Sequence, residues 1–321
     1  MSSHPSRRRF ITISAAVAGV ATLPPGITLA GSSARRWQGV AMGADAEMIL
    51  YHDNADAAQK LIDDCISEVH RLERVFSLYQ RDSAISKLNQ AGVLKAPPPE
   101  LVDLLSRSHS ISELTDGAFD VSVQSLWQLY QAHFTQGGGP EGPSQAALEA
   151  ARELVDYRAI EIQPDQTAFT RPGMSVTMNG IAQGYITDAV TQVLKRAGAT
   201  NVLVNMGEIR ALGRHADGQP WKVGLGSETD LKIDLIDKAV ATSAGDGMVF
   251  PSSDYHHLFD PRSGLSAHRW KQMSVIAHTA TFADGFSTAF SSLDETKIRA
   301  ISTKSNIQVR AIKHDGSFFS V

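Results

Sequence analysis

Apolar residues repeat at helical spacing along several stretches of the chain and cluster in short runs between them. A helix is predicted over residues 55–76, because apolar side chains recur there one turn apart, at Leu61, Cys65, Val69, Leu72 and Phe76. Further helices are predicted over residues 100–114, 144–155 and 181–198. Short apolar runs predict strands over residues 47–51, 160–162, 174–178, 202–205, 238–241 and 273–277.

The order of these elements indicates the fold class. The strands and helices do not alternate as β-α-β units, which favours an α+β fold with mixed, mostly antiparallel sheets and packed helices. No G-x-G-x-x-G stretch joins a strand to a helix, and the glycines at 137–139 are not followed by Lys-Ser/Thr as in a P-loop. We therefore expect a fold that is not a Rossmann fold.

The first thirty residues differ from the rest. Arg7 and Arg8 precede a modestly apolar stretch over residues 13–23 and small residues at 28–30. This stretch is too short for a spanning helix and is typical of a signal peptide; the arginine pair indicates twin-arginine export. A disordered basic tail is the alternative, but it does not explain the apolar stretch. We expect residues 1–30 to be a twin-arginine signal and residues 31–321 to be a periplasmic domain that does not span a membrane once processed.

The composition of the chain argues against two kinds of site, one for nucleic acid and one built from cysteines. The chain of 321 residues has a formal net charge of −4 and no long basic run, which argues against nucleic acid as a partner. Cys65 is the single cysteine, so the chain can form neither an intramolecular disulfide nor a thiolate metal cluster.

Three polar, glycine-containing segments lie between apolar runs, over residues 242–246, 256–264 and 283–288. In the last one, Asp284 and Thr288 are four residues apart, which places a carboxylate and a hydroxyl on one helical face. Two hard oxygen ligands of this kind suit Mg²⁺ in a surface cleft. The alternative is an aspartate near a helix N-terminus with a threonine packed behind it.

Other residues are candidates for ligand binding. Tyr79 lies among serines, where its ring is suited to stack on a planar ligand. Gly117 permits a tight turn, and the backbone of 118–120 after it is a candidate to hydrogen-bond a ligand's polar edge. Thr242 and Ser243 are expected at a turn, where they bind a nucleotide or satisfy the turn itself. Met42, taken alone, is better explained as a methionine that fills a gap in the core.

The motifs around these residues, in chain order, resemble those of the FAD:protein FMN transferase (ApbE) family. The resemblance covers nearly all of residues 40–320, and no single motif is decisive. The matching stretches are Met42–Ala44, Ser77–Asn89, Thr115–Val123, Met178–Asp188, Thr242–Asp246, His256–Gly264 and Ala283–Thr288. Their family counterparts are M-G-T, S-x-Y-x-x-x-S-x-[IL]-x-x-L-N, T-x-G-A-F-D-x-[TS]-V, D-x-G-x-[IV]-A-K-G-[YW]-x-x-D, a TSG-type turn, H-x-x-D-P-x-T-G and A-D-x-x-x-T.

The resemblance implies an ApbE-like, T-fold-related fold and a specific site. FAD is then the substrate, and the residues expected to bind it are Met42, Tyr79, Ala118, Phe119, Asp120, Thr177, Gln183, Thr242, Ser243 and His257. Mg²⁺ is expected at the Gly180 carbonyl, Asp284 and Thr288. FMN is expected to pass to a threonine hydroxyl of an acceptor flavoprotein, with release of AMP and with Asp284 and His257 as catalytic residues. His257 is the candidate general base, with His256 as the alternative.

The chain departs from the family pattern at Thr177, Gln183 and Glu208. Two alternatives therefore stay open: an FAD pyrophosphatase that gives FMN and AMP, and a non-catalytic flavin carrier or assembly factor. The arginine signal and the Val-Gln-Ser-Leu-Trp stretch at 123–127 resemble the branch that accompanies nitrous-oxide reductase. That resemblance implies a membrane-bound electron-transfer protein as the acceptor.

Overall fold

The strands of the fold are short except for an N-terminal hairpin. In the computed structural model, which describes residues 33–225, 231–251 and 254–321, they are β1 (Ser33–Ala41), β2 (Ala44–His52), β3 (Val93–Lys95), β4 (Ile160–Ile162), β5 (Gln166–Phe169), β6 (Val202–Asn205), β7 (Ile209–Leu212), β8 (Trp221–Gly224), β9 (Lys232–Leu235), β10 (Ala239–Ala244), β11 (Gln272–Ala277), β12 (Gln308–Ile312) and β13 (Phe318–Ser320). The signal predicted over residues 1–30 lies outside the described residues.

These strands form three sheets. The largest has eight strands in the order β1-β2-β6-β7-β10-β11-β12-β13; β3-β5-β4 and β8-β9 form the smaller two. Every strand pair of the described residues is antiparallel. The prediction of an α+β fold with mostly antiparallel sheets, rather than a Rossmann fold, is therefore confirmed.

The helices pack mainly on one face of the large sheet. They are α1 (Ala55–Phe76), α2 (Ala84–Ala91), α3 (Pro99–Leu114), α4 (Gln124–Thr135), α5 (Gln145–Arg152), α6 (Ala182–Arg196), α7 (Ala280–Phe290) and α8 (Glu295–Ser305). The Asn54 side chain caps α1 by accepting a hydrogen bond from Ala57 N, and Thr279 caps α7 in the same way. Among the described residues, no helix has the length and apolar character needed to cross a bilayer.

Successive side chains of a strand point to opposite faces of the large sheet, and they contribute to two separate apolar layers. Val202 and Val204 of β6 face the helices, whereas Leu203 between them faces the β8-β9 sheet, as expected for a strand buried on both sides. Cys65 is fully buried among the helix-side residues, in agreement with its place in the apolar repeat that predicted α1. The large sheet is thus covered on both faces near its middle.

Two local predictions were wrong. Residues 174–178 are extended but form no strand, because their backbone is bonded elsewhere: the Asn89 side chain pairs with Val176 N and O, at 2.8 Å each, and Thr177 N donates to Val121 O. The turn expected at residues 242–246 starts later, because Thr242 and Ser243 belong to β10, and a single 3-10 turn follows at Gly245–Gly247.

Candidate active site

A cavity of about 510 Å³ gathers the residues that the sequence singled out. Its volume suits a small-molecule ligand. Its lining includes every predicted site residue: Met42, Tyr79, Ala118, Phe119, Asp120, Thr177, Gly180, Gln183, Thr242, Ser243, His257, Asp284 and Thr288. Residues from distant parts of the chain therefore meet at one place, and their individual roles stay predictions.

The N-terminal turn of α6 lies directly against α7. A Cβ on Gly184 would fall 2.3 Å from the carbonyl oxygen of Ala280, so only glycine permits this approach. The close approach lets Gly184 N donate a hydrogen bond of 2.9 Å to Asp284 Oδ2. The glycine thus brings a backbone donor to the buried carboxylate.

A second contact fixes α7 relative to α6. Asp188 of α6 accepts hydrogen bonds from Ala280 N and Thr281 N, both at 2.9 Å, and pairs with Arg210 of β7. A carboxylate at a helix N-terminus satisfies free backbone donors and interacts favourably with the helix dipole. Asp188 therefore sets the position of the helix that carries Asp284 and Thr288.

Three oxygen groups converge beside this junction. Asp284 and Thr288 lie one turn apart on α7, and Thr288 Oγ1 donates to the Gly180 carbonyl at 3.3 Å. Asp284 is 4% exposed, so it is a buried carboxylate rather than the surface-cleft residue expected. Burial raises the pKa of Asp284 to about 7, and the negative charge of Asp188 adds to this increase. The hydrogen bond from Gly184 N lowers the pKa but does not cancel the increase. A carboxylate, a hydroxyl and a carbonyl fit a divalent cation, whose charge would compensate the buried carboxylate.

Glu208 is a site residue that the sequence marked only as a departure from the family pattern. It lies in the short connection between β6 and β7, where Gly207 has a φ of +104° and the Gln183 side chain lies against it. Glu208 lines the cavity and is 6% exposed. Burial and the neighbouring Asp284 raise the pKa of Glu208 well above its usual value, whereas a hydrogen bond from Thr242 N opposes this shift.

The two adjacent histidines have different environments. His257 lines the cavity, and its Nδ1 lies 3.1 Å from the Met248 carbonyl oxygen, which can only accept. Nδ1 therefore carries the proton, and Nε2 keeps a free lone pair. Burial lowers the pKa of His257, opposed by the Met248 hydrogen bond and by Asp246.

His256 is not part of the cavity lining. It is buried, its Nδ1 accepts a hydrogen bond of 3.3 Å from Leu258 N, and its ring packs edge-on against His268 with 4.8 Å between centroids. The geometry favours His257 over His256 as the candidate base.

The hydroxyls of Thr242 and Ser243 do not serve a turn, contrary to one of the expectations. Thr242 Oγ1 shares a hydrogen bond of 2.8 Å with Ser274 Oγ on β11, and Ser243 Oγ shares one of 2.8 Å with Ser287 Oγ on α7. Both residues line the cavity from the end of a strand. The Ser243 bond connects β10 to the helix that carries Asp284, whereas the Thr242 bond connects β10 to the neighbouring strand.

Much of the polar backbone after Gly117 is already bonded within the protein. Ala118 N donates to the Thr115 carbonyl at 3.1 Å, and Phe119 N donates to Thr115 Oγ1 at 3.2 Å. The Asp120 carboxylate accepts from Ser122 N at 2.8 Å and from Tyr157 N at 2.9 Å. The N–H groups of Ala118 and Phe119 are therefore not the ligand donors that we expected, although both residues line the cavity.

Tyr79 and Met42, two of the residues expected to bind FAD, both line the cavity. Tyr79 is 66% exposed, which leaves its ring open for stacking. Met42 adopts a φ of +50° in the β1-β2 turn, and its N–H donates to Glu73 Oε1 at 2.9 Å. Trp127, in the stretch at 123–127 that the sequence marked for another reason, also lines the cavity. Further lining residues that no motif marked come from the part of the chain around β11 to β13, among them Lys271, Gln272, Ile312 and Phe318.

The fold and the cavity define an antiparallel α+β protein whose cavity is lined by a buried carboxylate, a threonine hydroxyl and a histidine. The ApbE family model matches residues 42–312. This chain belongs to the ApbE family.

Curated relatives and solved structures agree with that assignment. The FAD:protein FMN transferase of Treponema pallidum (strain Nichols) is 30% identical over 265 residues, which cover 70% of this chain and 71% of that protein. The FAD:protein FMN transferase of Vibrio cholerae serotype O1 (strain ATCC 39541 / Classical Ogawa 395 / O395) is 29% identical over 261 residues, or 75% of this chain and 76% of that protein. The crystal structure of the Pseudomonas stutzeri flavinyl transferase ApbE in its apo form aligns with a TM-score of 0.78 and 26% identity, covering 92% of this chain and 97% of that one.

Proposed function

We propose that this chain is a Mg²⁺-dependent transferase that moves FMN from FAD to a threonine hydroxyl of an acceptor protein and releases AMP. FAD:protein FMN transfer is the activity named for its ApbE-family relatives, and this chain is such a transferase. The observation that carries the finer proposal is the meeting of Asp284, Thr288, Gly180 and His257 on one cavity with the predicted flavin-binding residues.

The reaction is a phosphoryl-type transfer at the FMN-side phosphorus of the FAD pyrophosphate. The bond from threonine Oγ to that phosphorus forms while the bond to the AMP oxygen breaks, and AMP leaves with the electron pair of that bond. Catalysis of this kind depends mostly on positioning and on charge stabilisation. The chain needs groups that take the hydroxyl proton and groups that hold the nucleotide in line.

His257 is suited to take the threonine proton at Nε2. Its Nδ1–H is bonded to the Met248 carbonyl oxygen, which fixes the ring orientation and the tautomer. Because burial lowers the pKa of His257, the ring is neutral at physiological pH and is ready to accept a proton. The proton therefore moves from the acceptor hydroxyl to Nε2 as the new bond to phosphorus forms.

The residues that would hold Mg²⁺ are Asp284, Thr288 and the Gly180 carbonyl. When bound there, the cation would neutralise the negative charge that develops on the phosphate oxygens. Asp188 and Gly184 keep α7 and its Asp284 carboxylate in place through their hydrogen bonds. Tyr79 is suited to stack on the flavin ring at the open end of the cavity.

One incubation separates the transferase from its two alternatives. The protein, FAD and MgCl₂ are mixed with a candidate acceptor protein and, as the matched control, with the same acceptor after Thr→Val replacement of its target residue. We expect the first acceptor alone to gain the mass of one FMN, with an equal amount of AMP. AMP without labelling would instead indicate an FAD pyrophosphatase, and neither product would indicate a flavin carrier.

We also propose periplasmic action after twin-arginine export, on a membrane-bound acceptor that serves electron transfer to nitrous-oxide reductase. The support is the Arg7-Arg8 pair, the apolar stretch after it and the family branch that the sequence resembles. Replacing both arginines by lysine should leave uncleaved precursor in the cytoplasm. Normal periplasmic maturation of that variant would refute the twin-arginine route.

A further inference from the structure

A second buried carboxylate lies beside Asp284 on the same cavity. Glu208 is 6% exposed and Asp284 is 4% exposed, and both are bonded to the first turns of α6: the Glu208 carbonyl accepts from Thr187 Oγ1, and Asp284 Oδ2 accepts from Gly184 N. Within residues 33–225, 231–251 and 254–321, no salt bridge reaches either carboxylate. Arg210, two residues beyond Glu208, is paired with Asp188 instead.

Two adjacent buried carboxylates need more hydrogen-bond donors or positive charge than the backbone N–H groups supply here. Asp284 accepts one hydrogen bond from Gly184 N, and Glu208 accepts one from Thr242 N. A carboxylate has about four lone-pair sites, so each group keeps capacity for a further partner. Buried like charges are costly unless a counter-charge lies between them. The cavity and the Gly180 and Thr288 oxygens next to Asp284 indicate what that counter-charge is: a divalent cation with oxygen ligands.

We propose that Glu208 is a further ligand of the cation site, so that two carboxylates rather than one bind the ion. The inference rests on the proposed function, which assigns the ion to Asp284, Thr288 and the Gly180 carbonyl. Glu208 reaches the site from the β6-β7 connection, which the Thr187 hydroxyl holds against α6 through a 3.0 Å hydrogen bond to the Glu208 carbonyl. A ligand from the sheet thus joins ligands from a helix.

This arrangement has a consequence for the order of binding. Two carboxylates match the charge of a divalent cation on their own, whereas a single carboxylate depends on the substrate phosphates for the second negative charge. The cation is therefore expected to bind before FAD, and replacement of Glu208 by glutamine is expected to cost the metal-free protein little stability. Both consequences are measurable without any transfer assay.

Mn²⁺ serves as the probe, because free Mn²⁺ gives an electron paramagnetic resonance signal that disappears on binding. The full-length protein without nucleotide should bind Mn²⁺, and Glu208→Gln should weaken the affinity about tenfold or more, as expected for the loss of a charged ligand. Asp284→Asn should weaken it at least as much. Asp246→Asn is the matched control, because Asp246 also lines the cavity but is exposed, and it should leave the affinity unchanged.

Thermal unfolding with and without Mg²⁺ is a second measurement, and it distinguishes a metal ligand from a residue that only supports the fold. In EDTA, Glu208→Gln should unfold at the wild-type temperature or above it, because glutamine has a similar size and removes the cost of burying a second ionisable group. With MgCl₂ present, the variant should show a smaller increase in unfolding temperature than the wild type, because ligand binding stabilises only in proportion to affinity. A residue that only supports the fold would lower both temperatures when replaced.

Three results would overturn the inference. First, Glu208→Gln binds Mn²⁺ as tightly as the wild type does, whereas Asp284→Asn binds it more weakly. This result would show that Glu208 is not a ligand, and it would leave the proposed function intact. Wild-type protein that binds Mn²⁺ only with FAD present would do the same. Wild-type protein that binds no Mn²⁺ in either condition would refute the cation site of the proposed function itself. Should Glu208→Gln not fold, Glu208→Asp replaces it: weaker Mn²⁺ binding supports the inference, and unchanged binding refutes it.

Discussion

The cavity has two walls that differ in where their charge lies. We call the residues of the α6-α7 junction, Gly180, Gly184, Asp284 and Thr288, the helix wall, and residues 245–251 and 254–268 the loop wall. Asp284 of the helix wall is buried and bonded to the backbone of α6. The loop wall contains isolated bridges in place of regular strands, and Val249 and Leu265 on it are 53% and 47% exposed. The helix wall holds buried charge, whereas the loop wall presents a neutral histidine.

The loop wall is nevertheless well anchored. Phe250 and Phe259 pack on the Tyr130 ring of α4 at centroid distances of 5.8 and 5.0 Å, and Tyr130 OH donates to the Gly264 carbonyl at 3.3 Å. Aromatic packing therefore positions His257, while hydrogen bonds between helix ends position Asp284. The difference teaches that the two walls are suited to the two tasks that we propose for them: the helix wall to hold a cation, and the loop wall to accept a proton.

The largest effect is expected for Asp284→Ala on the helix wall. Loss of the charged ligand should lower the transfer rate about a thousandfold or more, because metal stabilisation of transition-state charge is worth several kcal/mol. Circular dichroism should show a retained fold, since the change removes a costly buried carboxylate along with one hydrogen bond. Asp64→Ala on the exposed face of α1 is the control. An unchanged rate for Asp284→Ala would mean that the cation is held elsewhere.

On the loop wall, His257→Ala should lower the transfer rate about a hundredfold, the lower end for general base catalysis, because water remains as a weak base. FAD affinity should stay nearly intact. The wild-type rate should fall as the pH drops through a midpoint below about 6.5, since burial lowers the pKa of His257 and only the neutral ring accepts a proton. The variant should lose this dependence. Rescue by saturating FAD would show that His257 binds the nucleotide and is not the base.

Thr288→Val tests the neutral ligand of the helix wall at similar side-chain volume. We expect about a tenfold lower rate that is partly restored by higher Mg²⁺, and a stability loss of about 1 kcal/mol from the missing hydrogen bond to Gly180. The Mg²⁺ dependence of the rate is the measurement. Thr303→Val, an exposed helical threonine of α8, controls for the substitution itself. A rate unaffected by Mg²⁺ and equal to the wild type would exclude the Thr288 hydroxyl from the site.

The sequence predicted best those features that depend on the spacing of residues within one element. The helix over Ala55–Phe76 and the Asp284–Thr288 pair follow from spacing alone, since helical periodicity places such residues on one face. The order of the motifs along the chain then identified residues that the fold brings together in one cavity. No single motif predicts that these residues meet.

What could not be predicted depends on contacts between distant segments. The extended backbone of residues 174–178 is bonded to the Asn89 side chain, a partner that no strand pattern reveals. Burial of Asp284 depends on the glycine-mediated approach of α6, and the position of Glu208 depends on strand pairing across the sheet. Phe318 and Gln272 line the cavity from ordinary strands and carry no local signal of a site.

The smallest effect on transfer is expected for His256→Asn, which separates the two neighbouring histidines of the loop wall. Asparagine keeps a hydrogen-bond acceptor near the position of Nδ1, which accepts from Leu258 N, but it cannot be protonated. The transfer rate at neutral pH should therefore change little, whereas a comparable loss to that of His257→Ala would make His256 the base.

The same variant should change the acid stability of the protein. Burial, followed by repulsion from His268, His257 and His314, lowers the pKa of His256 to about 4. Because the unfolded chain then binds a proton that the folded chain does not, this group destabilises the fold as the pH falls from about 6.5 to about 4, by roughly 2 kcal/mol at pH 5. His256→Asn should remove that part of the loss, so that its unfolding temperature drops a few degrees less than that of the wild type between pH 7.5 and pH 5. Unfolding temperatures that fall in parallel for the two proteins across this pH range would show that burial does not hold His256 neutral.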